Sequence, residues 1–147
     1  MCEHTTNLPE EGSTGIIQCT GRDGQIREFR YGVAIVEQNY ETNLCEWTFH
    51  ALNPHDPNRF FEFTVERRPG GLRVKGMHHH NFEEFTAKGI PEAFILETAR
   101  LFRQKVCSTS NLEDPDFRTI PATKVWERLV AQGAAILHEQ RDRYETV

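Results

Sequence analysis

No stretch of this 147-residue chain approaches the ~18 consecutive apolar residues of a membrane-spanning helix, so no membrane partner is expected. The opening "MCEHTTNLPEEGSTG" has neither the basic start nor the apolar centre of a secretory signal, and a cytoplasmic location is expected. An excess of positive charge is missing too. Lys and Arg number 17 against 22 Asp and Glu, a net −5, and the basic residues are scattered rather than gathered on one face, so nucleic acid is not an expected partner. Cysteines are few. Cys2, Cys19, Cys45 and Cys107 form no CxxC pair and have no histidine at zinc-finger spacing, which excludes a finger-type metal site. In a reducing compartment disulfides are not expected, and Cys45 and Cys107, in strand-like runs, read as small buried hydrophobes. The chain also lacks internal repeats and low-complexity segments.

What is present is enough apolar content, 37 %, for one ordinary core, and the length suits one domain. Residues 1–14 are polar and aperiodic and read as a mobile tail, leaving residues 15–147 as the folded unit. "GIIQCTGRDGQIREFRYGVAIVE" reads as two strands around Asp23-Gly24, a dipeptide that tolerates the positive φ of a tight hairpin. In "LCEWTFHAL" Cys45, Trp47, Phe49 and Ala51 alternate with polar residues, the two-residue period of a half-buried strand. "RFFEFTVER" repeats the pattern with Phe61, Phe63 and Val65 inward. Beyond the "RRPGG" turn, Leu72 and Val74 face in, while alternation sends Arg73 and Lys75 to the solvent side. Gly76 interrupts this strand and marks a bulge or a close backbone approach.

The period changes after residue 90. Pro91 fits the first turn of a helix, where its missing N–H is not needed, and Phe94, Ile95, Thr98, Leu101 and Phe102 share one face. That helix is expected to end near Gln104. "KVCSTS" is a short strand candidate. A second helix opens near Pro121, with Ala122, Val125, Trp126, Leu129 and Val130 as its apolar stripe and Gly133 beyond its end. "AAILHEQRDRYETV" closes as a strand hairpin. The expected fold is α+β, a mostly antiparallel twisted sheet with two C-terminal helices that bury their stripes on it.

The segment "HHHNFEEFTAKGIPEAF" carries the chemistry. Its turn, Thr86 to Pro91, joins a strand to a helix start, where free backbone N–H groups and the positive end of the helix dipole favour an anion. The arrangement resembles the GCN5-related N-acetyltransferase (GNAT) family, in which a strand, a Gln/Arg-x-x-Gly-x-Gly/Ala turn and a helix hold the pyrophosphate of acetyl-CoA. The matching residues are Thr86, Ala87, Lys88, Gly89, Ile90 and Pro91. The following strand, helix and terminal hairpin keep that family's order, and "ATKVWERLVAQGA" is similar to its A-x-x-x-Tyr-x-x-x-Gly-Phe segment. The likeness covers about residues 72–147. It implies a GNAT-like fold, an acyl-CoA-dependent N-acyltransferase activity with acetyl-CoA or another acyl-CoA as cofactor, and a small-molecule or amine acceptor. Thr86, Ala87, Lys88, Gly89 and Ile90 would then bind the cofactor, with Gly89 the point where a side chain would crowd the phosphates. The chain departs from the pattern at Thr86, at Pro91, which lacks an N–H, at Glu92, which adds negative charge, and at Trp126, where the family often has a tyrosine acid.

On a strand, His78 and His80 would share one face with His79 on the other. They are the candidate general bases for the acceptor amine under the transferase reading. A metal site is not expected there, since no third ligand stands at a spacing that names itself, and a plain surface strand end is the alternative. Tyr144 is a candidate substitute for the missing acid. The competing class is a non-catalytic binding or interaction module that retains the fold.

Overall fold

The computed structural model describes residues 8–39, 41 and 44–147; Cys2 and the start of the expected tail lie outside them. Five strands come first: β1 (Thr14–Thr20), β2 (Ile26–Asn39), β3 (Leu44–Asn53), β4 (Asp56–Arg68) and β5 (Gly71–His78). Then follow α1 (Ile90–Phe102), β6 (Val106–Cys107), α2 (Ile120–Ala131), β7 (Ala135–His138) and β8 (Arg143–Thr146). The fold is α+β: the eight strands of the described residues join one sheet in the order β1-β2-β3-β4-β5-β6-β8-β7. Every neighbouring pair is antiparallel except β5 and β6, which run parallel.

The first hairpin turns at Asp23-Gly24 as its sequence requires, with Gly24 at φ 80° and its N–H donating to the Gly21 carbonyl. The alternation in β3 and β4 is realised residue by residue. Cys45, Trp47, Phe49 and Ala51 are buried, as are Phe61, Phe63 and Val65. Phe94 of α1 lands on this surface, its ring stacked 5.1 Å from Phe63 at 10° and 5.6 Å from Tyr31 edge-on. The α1 stripe holds apart from Leu101, which is only half-buried, and the helix stops at Phe102, slightly short of Gln104. Arg103 there adopts the left-handed conformation and its N–H caps the Ala99 carbonyl. In α2, Thr119 is the N-cap, its hydroxyl accepting from the Ala122 N–H, and Val125, Trp126 and Leu129 are buried. No helix among the described residues is long and apolar enough to cross a membrane.

Three sequence expectations are corrected by the fold. Arg73 is not on the solvent side: its guanidinium is buried on the polar face of the sheet, bridging Glu66 and Asp114, because the 108–119 loop folds over that face. Such a pair survives burial only when both charges are matched. Cys45 is buried but disulfide-bonded rather than a free thiol. The "KVCSTS" strand shortens to Val106–Cys107, for reasons that shape the site. Ahead of β1, residues 8–13 are tethered, with the Trp47 indole N–H donating to the Pro9 carbonyl and the Gly12 N–H to Val33.

Because Phe94 is fully buried among Tyr31, Phe49, Phe61 and Phe63, Phe94→Ala leaves a cavity at the centre of the core. Urea denaturation is expected to show a loss of about 3–5 kcal/mol.

Candidate functional site

The parallel contact between β5 and β6 is only two residue pairs long, Leu72 with Val106 and Arg73 with Cys107. Beyond it the strands part. On one side, β5 keeps to β4 through a bulge: Val65 faces Val74 and Thr64 faces Gly76, leaving Lys75 as the extra residue, so Gly76 does mark a bulge. On the other, the backbone after Cys107 turns to β8. Ser108 donates its N–H to the Tyr144 carbonyl and accepts the Tyr144 N–H on its hydroxyl. Arg118 fastens this divergence from behind. Its Nη1 donates to the carbonyls of Thr109 and Asp142, its Nη2 to the Asp142 carboxylate, and its guanidinium lies 4.9 Å over the Tyr144 ring.

Between the diverging strands lies a cleft of about 1100 Å³. One wall is the end of β5 with His78, His79 and His80, and the opposite wall is Ser108, Thr109 and the start of α2. Thr86, Ala87, Gly89, Pro91 and Glu92 also line it, so the turn and the histidines, read separately from the sequence, border one space. Ile90 and Lys88 do not. The Ile90 side chain is fully buried in the core, where its stripe position puts it, and Lys88 is half-buried off the cleft.

Ala87 (φ 58°) and Gly89 (φ 81°) both hold left-handed backbone, and α1 begins directly after them. The N–H groups of Ala87, Gly89 and Glu92, all three on the cleft lining, have no acceptor among the described residues. Pro91 removes one donor from this set, as its sequence implies. The negative charge of Glu92 is matched by Arg128 of α2, 3.3 Å away, and Arg22 and Lys124 add further positive charge to the lining. Sequence reasoning missed Arg22, Lys124, Arg128 and the exposed Phe117, which come from separate segments with no shared motif. Cys19, beneath the turn, has its thiol pushed up to about 12 by burial and then by Glu92, which makes it inert.

The histidine arrangement differs from the strand expectation in its cause. β5 ends at His78, and His80 and Asn81 both take positive φ (53° and 61°), so a turn rather than strand pleating returns His80 to the side of His78, the rings 6.0 Å apart. His80 Nε2 lies 3.2 Å from Glu62 Oε1 and its ring packs edge-on against Phe60. His50, stacked on Phe60 at 3.9 Å, has its pKa lowered by burial. Among the described residues no group of three or more His, Cys, Asp or Glu side chains converges to hold a metal ion. Trp126 is buried and stacked on Tyr144, while Tyr144 does not line the cleft; burial pushes its phenol up.

No protein-family model, curated protein or solved structure matches the chain.

Two outcomes follow from this geometry. A Cβ on Gly89 would overlap the Thr20 carbonyl oxygen, so a side chain there clashes with β1 before any ligand is considered. Gly89→Ala is expected to lower stability by at least ~1 kcal/mol from the left-handed backbone alone, by thermal or urea unfolding, whatever it does to ligands. The second concerns Glu84, which braces the 82–86 turn. Hydrogen bonds from Arg59, then from Asn53, hold its carboxyl down at about 2. A carboxyl held down in this way stabilises the fold fully above its ordinary value of 4.5 and less as pH falls towards 2. In Arg59→Ala, the Glu84 carboxyl followed by NMR is expected to titrate at higher pH, back towards the ordinary glutamate range.

Proposed function

We propose that the cleft binds an acyl-CoA, its diphosphate on the Thr86–Glu92 turn, and that the protein is a CoA-dependent N-acyltransferase of GNAT-like type. The observation that carries this is the opening of β5 from β6 onto the turn before α1, where Ala87, Gly89 and Glu92 line the cleft and their N–H groups have no acceptor among the described residues. An anion there is favoured by the free N–H donors, the helix dipole and the nearby Arg22 and Lys124, while Arg128 offsets Glu92. The volume exceeds the roughly 300–1,000 Å³ of ordinary small-molecule pockets, which favours an extended ligand over a compact metabolite. Further support comes from the bulge at Gly76, since the resemblance implies a splayed strand whose freed edge pairs with an extended pantetheine arm.

At the histidine end the acceptor amine meets His80. With Nε2–H donated to Glu62, the Nδ1 of His80 is left as the proton acceptor. The amine nitrogen forms its bond to the thioester carbonyl carbon as the C–S bond breaks. The ammonium proton goes to His80, directly or through water. The indole N–H of Trp126 is far too weak an acid to protonate the departing thiolate, and Tyr144 is outside the lining, so water supplies that proton.

That missing acid favours a second reading, a non-catalytic module that binds the same ligand without transfer.

Titration with acetyl-CoA, CoA and a nucleotide series, followed by thermal shift, tests the site. A ligand at ~100 times its dissociation constant stabilises by about 2.7 kcal/mol. Ala122→Phe, which fills the cleft from α2 without removing a backbone donor, is expected to abolish the shift. His80→Ala is expected to lower acyl transfer roughly ten- to a thousandfold with CoA binding retained. Binding without transfer to any amine selects the module, and no shift with any acyl-CoA removes the CoA reading.

A further inference from the structure

A second cavity lies at the opposite end of the β5–β6 contact. It is about 210 Å³, bounded by the Arg68–Gly71 turn, the residues leading into β6 and the start of β8. Five cations line it: Arg68, Arg73, Lys105, Arg141 and Arg143. Only two carboxylates do, Asp114 and Glu145, with Glu66 and Glu113 reaching the same cations from outside the lining.

The donors exceed the acceptors. Arg73 bridges Glu66 and Asp114 through its terminal nitrogens, and its buried Nε has no partner. Arg143 reaches Asp114, Glu113 and the Ser108 carbonyl, and its buried Nε is likewise unpartnered. Arg68 and Arg141 each donate only Nε, to Glu66 and Glu113, so their terminal nitrogens have no acceptor among the described residues. Lys105 is exposed and only 3.9 Å from Glu145, a loose contact. Guanidinium groups present planar pairs of donors suited to oxyanions, and such a concave site concentrates their field.

We propose that this cavity is a binding site for a small dianion with carboxylate or tetrahedral oxyanion oxygens, held by the free terminal nitrogens of Arg68 and Arg141 and by Lys105. The two buried arginines fix the floor, their charge already committed to the sheet. The size suits a phosphate or a short dicarboxylate. The proposal does not rest on the CoA reading, because the two cavities lie on opposite sides of the Leu72–Val106 and Arg73–Cys107 pairs.

The test is calorimetric titration of the full chain with inorganic phosphate, sulfate and malonate at constant ionic strength set by chloride. Saturable one-to-one binding of at least one dianion is expected. The double variant Lys105→Gln, Arg141→Gln removes only exposed rim cations; it is expected to weaken binding at least tenfold while the melting temperature without ligand stays unchanged. Ala122→Phe in the large cleft is expected to leave the affinity as it was. Preference for malonate over phosphate, or the reverse, identifies which oxyanion the site serves. Absence of saturable binding to all three overturns the proposal. So does binding that survives the double variant and is lost in Ala122→Phe, which would assign the anion to the α1 turn.

Discussion

The geometry of this protein turns on where one parallel strand pair stops. Parallel strands hold each other through evenly spaced, slanted hydrogen bonds, and a pair continues as long as both backbones offer their groups to each other. Here the pairing ends after two residues. β5 bulges against β4 at Lys75–Gly76, and the chain after Cys107 leaves for β8 through Ser108 and Tyr144. Backbone groups inside a fold need partners, and those of Ser108 find theirs on β8. The β5 edge that once faced β6 is left looking into the gap.

A second consequence is the role of polar contacts on the far face of the sheet. The 108–119 loop leaves Leu112 and Phe117 exposed, so apolar burial does not hold it in place. Its anchors are Asp114 on Arg73 and Arg143, the Ser110 hydroxyl on the Arg141 carbonyl, and the many bonds of Arg118. Removing one partner from such a network strands its buried mate, which is far more costly than never having had the pair. The wall of the cleft is therefore set by charge pairing and its core by aromatic packing.

The sequence made the second of these legible and not the first. Alternation of Trp47, Phe49, Phe61 and Phe63 announced the core strands, and Phe94 and Trp126 marked the inward helix faces, because apolar burial is periodic. Asp23-Gly24 and Thr119 announced their turn and cap by local chemistry. Period-two logic says which face Arg73 occupies and not whether a distant loop covers it, and the 108–119 loop does. The turn and the histidines were each recognisable, yet their common cleft depended on a strand divergence that no local pattern encodes. Cationic lining from Arg22, Lys124 and Arg128 was invisible for the same reason, since each belongs to a different segment.

The turn before α1 is also braced from far along the chain. The Arg22 N–H donates to the Ala87 carbonyl, and Gly89 is packed against the Thr20 carbonyl, so the end of the first hairpin serves as the mould for a loop more than sixty residues later. Contacts so distant in sequence cost loop-closure entropy, which local pairing does not repay. The donor array is thus a property of the completed molecule: α1 can be drawn from its own residues, while the shape of the turn before it depends on where the first hairpin lies.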